Sequence, residues 1–482
     1  VTTSMPKTIG AERRNWFALA VLLVGAFMAL LDTTIVNVAL PAIRTGLAAS
    51  NATLSWIVSG YALAFGLALI PAGRVGDRFG HKWVFVVGLS LFTAASLACG
   101  LAHGETPLVC ARAVQGLGGG IFFTSVTALI QLMFTDRKRA RALAIMGSTI
   151  GFSVALGPLV GGLIIQAFGP DPGWRLVFDV NVPLGVLAVV AAAVLLPVGS
   201  DRAATSADWA GLILLSAALI ALLVPLIQGQ QDGWPLWTYA SMAGAAALLA
   251  VFARWERHVE ASGGNPLVPP RLFAHASFTG GVLLALVYFA AFTSIFFTIA
   301  LLWQAGLGHT ALQSGLVVTP FAVGLVGGAS QSDTLAARFG RTVLVAGLGM
   351  VAVGITAIWV VLAVTPCTAY SGWQLAAPLL VAGVGSGLFI APNVDFIVAT
   401  VDAEDAGAAS GVIGTAQRIG SAIGIAIIGT VLFGTLHVDR PGPAALAAAF
   451  AHSATLAMAA SAGLGVAAFA LVFALPRRTW GR

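Results

Sequence analysis

Asp32 stands in the string Leu31-Asp32-Thr33-Thr34-Ile35-Val36-Asn37-Val38-Ala39-Leu40-Pro41, inside an apolar stretch that begins at Trp16. A carboxylate in a lipid-spanning segment costs about 2.5–3.5 kcal/mol or more, which makes it a functional residue by default. Burial and a nearby cation oppose each other in setting its charge, so it can exchange that charge for a proton. Arg112 lies in another apolar stretch. At about 1.5 Å per residue, both sit roughly 10 Å below the same surface, so the two can meet. The plainer readings are that Asp32 only orients its helix by bonding Thr33 or Thr34, and that Arg112 only neutralises it. Asp179, in Phe178-Asp179-Val180-Asn181, lies about 8 Å below that surface and is either a second substrate or proton site or a polar residue at the mouth of a cavity. Asn37 and Gln115 add amides near the pair. Phe292 and Phe296, from the aromatic run 289–297, offer an apolar cavity wall, although packing or a lipid-facing role suits them as well. Asp395 and Arg418 fall toward the opposite surface, where a structural ion pair is expected.

The elements that must hold these residues are membrane helices. Hydrophobic residues make up 59% of the 482-residue chain and charged ones 9%, a composition that excludes a soluble fold. Spans of about 20 apolar residues fit near 16–38, 52–73, 83–102, 107–132, 141–166, 174–197, 209–229, 236–254, 276–304, 312–336, 342–364, 373–399, 407–434 and 450–475. The expected fold is therefore an all-α integral membrane protein of about 14 transmembrane helices. The first span is too long for a cleaved signal peptide and lacks a small-residue cleavage site. Most Lys and Arg fall in loops on one side, including Arg13-Arg14, Arg74, Arg78, Lys82, Arg254, Arg338, Arg341 and Arg477-Arg478. That asymmetry places both termini in the cytoplasm and explains the basic charge without nucleic acid.

Other chemistry is poorly provided for. Cys99, Cys110 and Cys367 lack metal-ligand spacing, and a Cys99–Cys110 disulfide is possible but less expected than inert thiols. The histidines at 81, 103, 258, 275, 309, 437 and 452 sit mostly in loops and helix ends, so no metal site is expected. No nucleotide-binding loop occurs, which leaves ATP-driven transport without an engine. Trp16, Trp56, Trp83, Trp174, Trp234, Trp237, Trp303 and Trp373 are expected at membrane interfaces.

The chain repeats itself. Gly73-Arg74-Val75-Gly76-Asp77-Arg78-Phe79-Gly80-His81-Lys82 returns, degraded, as Asp333-Thr334-Leu335-Ala336-Ala337-Arg338-Phe339-Gly340-Arg341-Thr342, with Ala337 where Asp77 would stand. Repeated halves around a central site are a common plan for secondary transporters. The expected division is a six-helix bundle over 1–198, two inserted helices over 199–255, a cytoplasmic linker over 256–273 and a second six-helix bundle over 274–482. Asp77, among Arg74, Arg78 and Lys82, is placed to pair across bundles in ion pairs that break and reform as the halves move, and the plainer reading of Gly73, Asp77, Arg78 and Gly80 is a solvated loop with no gating role. Gly151, Gly157, Pro158 and Gly161 make a backbone device in the fifth span: proline removes a donor, and the glycines admit a neighbour.

Six strings in this order resemble the signature motifs of the major facilitator superfamily, specifically its fourteen-helix drug:proton antiporters. They are 31–41; 73–82; Arg112-Ala113-Val114-Gln115-Gly116-Leu117-Gly118-Gly119-Gly120; Gly151 with Gly157-Pro158-Leu159-Val160-Gly161-Gly162; Trp174-Arg175-Leu176-Val177-Phe178 with Asn181-Val182-Pro183; and Asn265-Pro266-Leu267 with Arg271-Leu272-Phe273. The resemblance implies a latch at 73–82, antiport through the fifth-span kink, and proton-coupled export of a small amphipathic drug or antibiotic. The expected partners are that small organic substrate, protons and the lipid bilayer, with no ATP, no nucleic acid, no cofactor, no enzymatic activity, and a monomeric chain. Where the family usually has an apolar residue, this chain has Asp179. Arginine outnumbers lysine about seven to one, which together with Val1 suggests a high-GC actinomycete, in which export of an endogenous antibiotic is plausible. A proton-coupled symporter and a non-transporting receptor or scaffold remain as alternatives.

Overall fold

The computed structural model describes residues 9–198, 208–229, 232–264, 266–398, 401, 406–438 and 442–475. Among these there is no strand, and the α-helices are α1 (Ile9–Leu47), α2 (Asn51–Phe79), α3 (His81–Gly100), α4 (Glu105–Met133), α5 (Asp136–Phe168), α6 (Pro170–Asp179), α7 (Asn181–Leu195), α8 (Trp209–Gln228), α9 (Leu236–Ala261), α10 (Ala276–Leu301), α11 (Ala311–Phe339), α12 (Thr342–Val364), α13 (Gly372–Val398), α14 (Ala406–Gly434) and α15 (Pro443–Ala474). Thirteen stretches are long and apolar enough to cross a membrane, and bent α5 brings the number to 14. α6 and α7 together form one of these, Pro170–Leu195.

Two spans are interrupted just before a proline. Pro158 cannot donate to the Val154 carbonyl, and α5 bends by 40° between Val154 and Leu156. The freed Val154 oxygen accepts instead from the Thr34 hydroxyl of α1, at 3.3 Å. Pro183 likewise cannot serve the Asp179 carbonyl, and the helix restarts at Asn181.

The repeat is visible in three dimensions. α2 and α11 are each 29 residues long. Ser50 and Thr310 cap their starts, accepting from the Thr53 and Gln313 amides at 3.1 and 3.2 Å. Gly80 and Gly340 end them at φ 96° and 56°, conformations that favour glycine. Their amides reach the Gly76 and Ala336 carbonyls at 2.8 Å in both cases. Arg78 and Arg338 then lie over the rings of Phe79 and Phe339, both at 5.2 Å.

We call the side where α1 begins the near face and the side where it ends the far face. Two long seams join the first and second halves of the chain, α2 against α14 and α5 against α11, with α1 touching α10 between them. α8 and α9 pack on each other at the edge of the α2/α14 seam. α9 continues to Ala261, so part of the expected linker is helical. There Glu256 accepts from the Val268 amide at 2.7 Å, and Arg74 of α2 donates to the Pro266 carbonyl at 2.6 Å. These bonds tie the connecting segment to the near face.

Candidate functional site

Asp32 and Arg112 meet, as their shared depth requires, inside the first half. Arg112 Nη1 donates to Asp32 Oδ2 and, at 2.7 Å, to Gln115 Oε1, while its Nε donates to the Ile57 carbonyl at 3.0 Å. The second carboxylate oxygen accepts from Gln115 Nε2 at 3.1 Å and Asn181 Nδ2 at 3.4 Å. Both amides also donate to Ser96 Oγ, at 3.0 and 3.3 Å, and Ser96 donates to the Phe178 carbonyl at 2.8 Å. Tyr61 lies under the guanidinium at 4.2 Å and donates to the Ala29 carbonyl at 3.0 Å. Asp32, Ser96, Arg112, Gln115 and Asn181 are each 0% exposed.

The fourth-helix motif makes this closeness possible. A Cβ on Gly119 would sit 2.8 Å from the Phe65 ring, and on Gly116 or Gly120 it would strike the α2 backbone. Small residues let α4 lie against α2, which brings Arg112 to Ile57 and across to Asp32. The ion pair is thus enclosed with most of its hydrogen-bonding capacity used, which is how a buried pair offsets its desolvation. Arg112 Nη2 and Asn181 Oδ1 remain enclosed without partners.

A second locus lies on the seam between halves. Asn37 and Val38 of α1, Pro158 of α5, Phe296 and Ala300 of α10, and Ser314 and Val318 of α11 enclose a cavity of about 10 Å³, room for one water-sized group. Asn37 Oδ1 and Ser314 Oγ are buried and unpaired. Beyond it the far face is shut: Gln304 Nε2 donates to the Val38 carbonyl at 3.0 Å, and a Cβ on Gly162 would lie 2.7 Å from Leu312 Cα. Toward the near face the seam loosens. A Cβ on Gly151 would stop 3.9 Å from Val326, and Val326 is 45% exposed.

Several expectations need correction. Asp32 and Gln115 are turned into the first half and do not line the seam cavity in this conformation, whereas Asn37 and Phe296 do. Phe292 lies just behind, its ring 5.2 Å from Phe296. Asp179 does not join the Asp32 cluster: the helix break turns it toward Gly100, and Asn181 occupies the place beside Asp32. Asp395 and Arg418 form no ion pair. Asp395 is exposed and in electrostatic range of Asp333, whereas Arg418 lies 4.2 Å over Phe65. Of the kink residues, Gly157 and Gly161 abut Thr34 and Ile35 of α1, and Pro158 abuts Gly315 of α11, but Gly151 has room for a side chain. Of the latch residues, Gly80 has the positive φ and Gly73 has open space. The Asp77 side chain, like Asn265, lies outside the described residues. Trp174 and Trp303, at the far ends of their spans, are buried within the protein. Cys99 and Cys110 are free, one buried and one exposed. Ser96, Asn181 and Tyr61 were not foreseen in the site. Asn181 carried a sequence signal, since it lies two residues after Asp179 in the sixth-span motif.

The chain has relatives of known family. The model of the Major Facilitator Superfamily matches residues 22–425. The "Probable actinorhodin transporter" of Streptomyces coelicolor is 38% identical over 424 residues, 88% of this chain and 73% of that protein. The "Tetracenomycin C resistance and export protein" of Streptomyces glaucescens is 34% identical, covering 88% and 77%. The "Methylenomycin A resistance protein" of Streptomyces coelicolor is 35% identical, covering 86% and 85%. Among solved structures, a D-xylose-proton symporter superposes with a TM-score of 0.66 at 14% identity, over 97% of this chain and 99% of that one, a likeness of fold alone. With its repeated caps, paired seams and family match, this chain belongs to the Major Facilitator Superfamily and is a multi-pass membrane transporter.

Proposed function

We propose that this transporter exports a small amphipathic organic compound, a drug or antibiotic, in exchange for protons entering the cell. The observation that carries the reading is the enclosed Asp32–Arg112 pair, held by Gln115 and Asn181 at mid-membrane depth. Names of relatives that export or resist antibiotics support the substrate class. The bundles 1–198 and 274–482 rock about the two seams, with 199–255 inserted and 256–273 linking them. The near face, which bears the basic loops, is cytoplasmic, as are both termini, in the plasma membrane. The conformation described here is then closed outward, and substrate enters from the cytoplasm.

When the outer side opens, Asp32 takes a proton and its bond to Arg112 weakens. Arg112 turns more fully to Gln115 and Ile57, and the shift of α1 is felt across the seam through Thr33, Thr34 and Asn37. Substrate leaves outward, and the return swing delivers the proton to the cytoplasm. Asp179 we place at the outer mouth, outside the carrier pair. Gly73, Asp77, Arg78 and Gly80 act as the cytoplasmic latch, and the α5 bend favours antiport over symport. The chain works as a monomer without ATP or a cofactor, and it catalyses no chemical conversion.

The test is substrate flux in everted vesicles with and without an imposed proton gradient. Gradient-dependent accumulation by the parent chain, lost in Asp32→Asn at equal membrane levels, is the expected outcome. Undiminished flux in Asp32→Asn removes Asp32 as the carrier.

A further inference from the structure

Among the described residues, Arg418 is a cation without a countercharge at mid-span. It lies 12 residues into α14, about 18 Å from the near end. Among the described residues its guanidinium meets the opposite half: it stacks 4.2 Å over Phe65 of α2, and Nη1 donates weakly, at 3.4 Å, to Thr33 Oγ1 of α1. A Cβ on Gly66 would lie 2.8 Å from Arg418 Cβ, so α2 clamps the stem. Among the described residues Arg418 has no ion-pair partner. The nearby Asp32 is engaged by Arg112, Gln115 and Asn181. Asp179 lies toward the far face, and Asp395, near Asp333, toward the near face. Arg418 also differs from Arg112 in access. Arg112 Nη2 is sealed and unpartnered, whereas no Arg418 nitrogen is both, and the residue is half-buried on the seam. Asp32 and Arg112 cancel, so the seam keeps one positive charge with donors still free.

An unpaired intramembrane cation is costly and is resolved by a partner. We propose, building on the export reading above, that the partner is the cargo: the transporter carries an aromatic organic anion, a carboxylate or acidic phenolate, whose charged group docks on Arg418. The planar guanidinium fork suits two oxygens at once. Phe65 beneath it, with Tyr61 and Phe123 at 5.9 and 5.7 Å from that ring, and the Phe292–Phe296–Phe321 group of the second half offer apolar faces to the rings of such a molecule. Exchange of one such anion for one entering proton moves two charges inward, so the membrane potential drives export as well as the pH difference does.

The experiment uses the full chain with anthracene-9-carboxylate and 9-(aminomethyl)anthracene, one ring system bearing opposite charges. Binding is read by fluorescence in detergent and flux in proteoliposomes. The parent chain is expected to bind the carboxylate in preference to the amine. Arg418→Gln is expected to weaken carboxylate binding by at least about tenfold without weakening the amine, and Arg418→Lys to retain part of it. Failure of the parent chain to bind the carboxylate, preference for the amine, or equal loss of both probes in Arg418→Gln overturns the anion site. Proton-driven flux of the amine with no carboxylate binding overturns the anion site and leaves the export reading standing. Carboxylate binding without proton-driven flux does the reverse. The parent chain's own preference decides even if Arg418→Gln fails to fold.

Discussion

Asp32 and Arg112 should prove unequal when removed one at a time, because only one of them can shed its charge. In Asp32→Asn the guanidinium stays charged at any accessible pH. It keeps its bonds to Gln115 Oε1 at 2.7 Å and the Ile57 carbonyl at 3.0 Å, but loses its carboxylate in a site 0% exposed. Breaking a buried pair costs about 3–5 kcal/mol, and the two surviving bonds place this case near the lower end, about 3 kcal/mol. In Arg112→Gln the orphaned Asp32 can take a proton and still accept from Gln115 and Asn181, so the expected loss is smaller, about 1–2 kcal/mol. The double variant leaves no buried charge and should recover most of the larger loss, giving a coupling of about 3 kcal/mol. Equilibrium unfolding in mixed micelles, read by tryptophan fluorescence, measures all three, and everted-vesicle flux should be absent in the double variant despite its recovered stability. Additive losses, within about 0.5 kcal/mol, or an Arg112→Gln loss larger than that of Asp32→Asn, would refute the reasoning.

Four further outcomes follow from the same geometry. Gly157→Ala drives a methyl into Thr34 and should sharply lower membrane protein levels, and adding Thr34→Ala should restore much of the loss in an immunoblot. Thr34→Val alone removes the donor to the Val154 carbonyl and should cost about 1 kcal/mol, together with slower flux. Asn181→Leu should cut proton-coupled flux by about tenfold, since one lost hydrogen bond to a charged group is worth about 1.5–3 kcal/mol, whereas Asp179→Asn should leave flux within about twofold. In a cysteine-free background, Val326→Cys should react with an impermeant maleimide in everted vesicles and not in right-side-out ones.

The number of spans was legible in the order of residues alone, because only runs of about 20 apolar residues satisfy a bilayer. That order also located the repeat and matched Asp32 to Arg112, because depth along a helix is arithmetic at about 1.5 Å per residue. Rotation about the helix axis is a different matter. In a soluble protein the polar face announces itself, but lipid and protein interior are both apolar, so the pattern of a span does not say which face meets a partner. Asp395 and Arg418 accordingly looked paired by depth, yet one faces Asp333 and the other reaches into the opposite half. Asp179 and Asn181 differ by two residues, and the break at Val180 decides which of them reaches Asp32. Gly151 and Gly157 belong to one motif, but only Gly157 faces α1 closely. Tertiary packing made these choices, because fixing the azimuth of each helix requires all its neighbours at once.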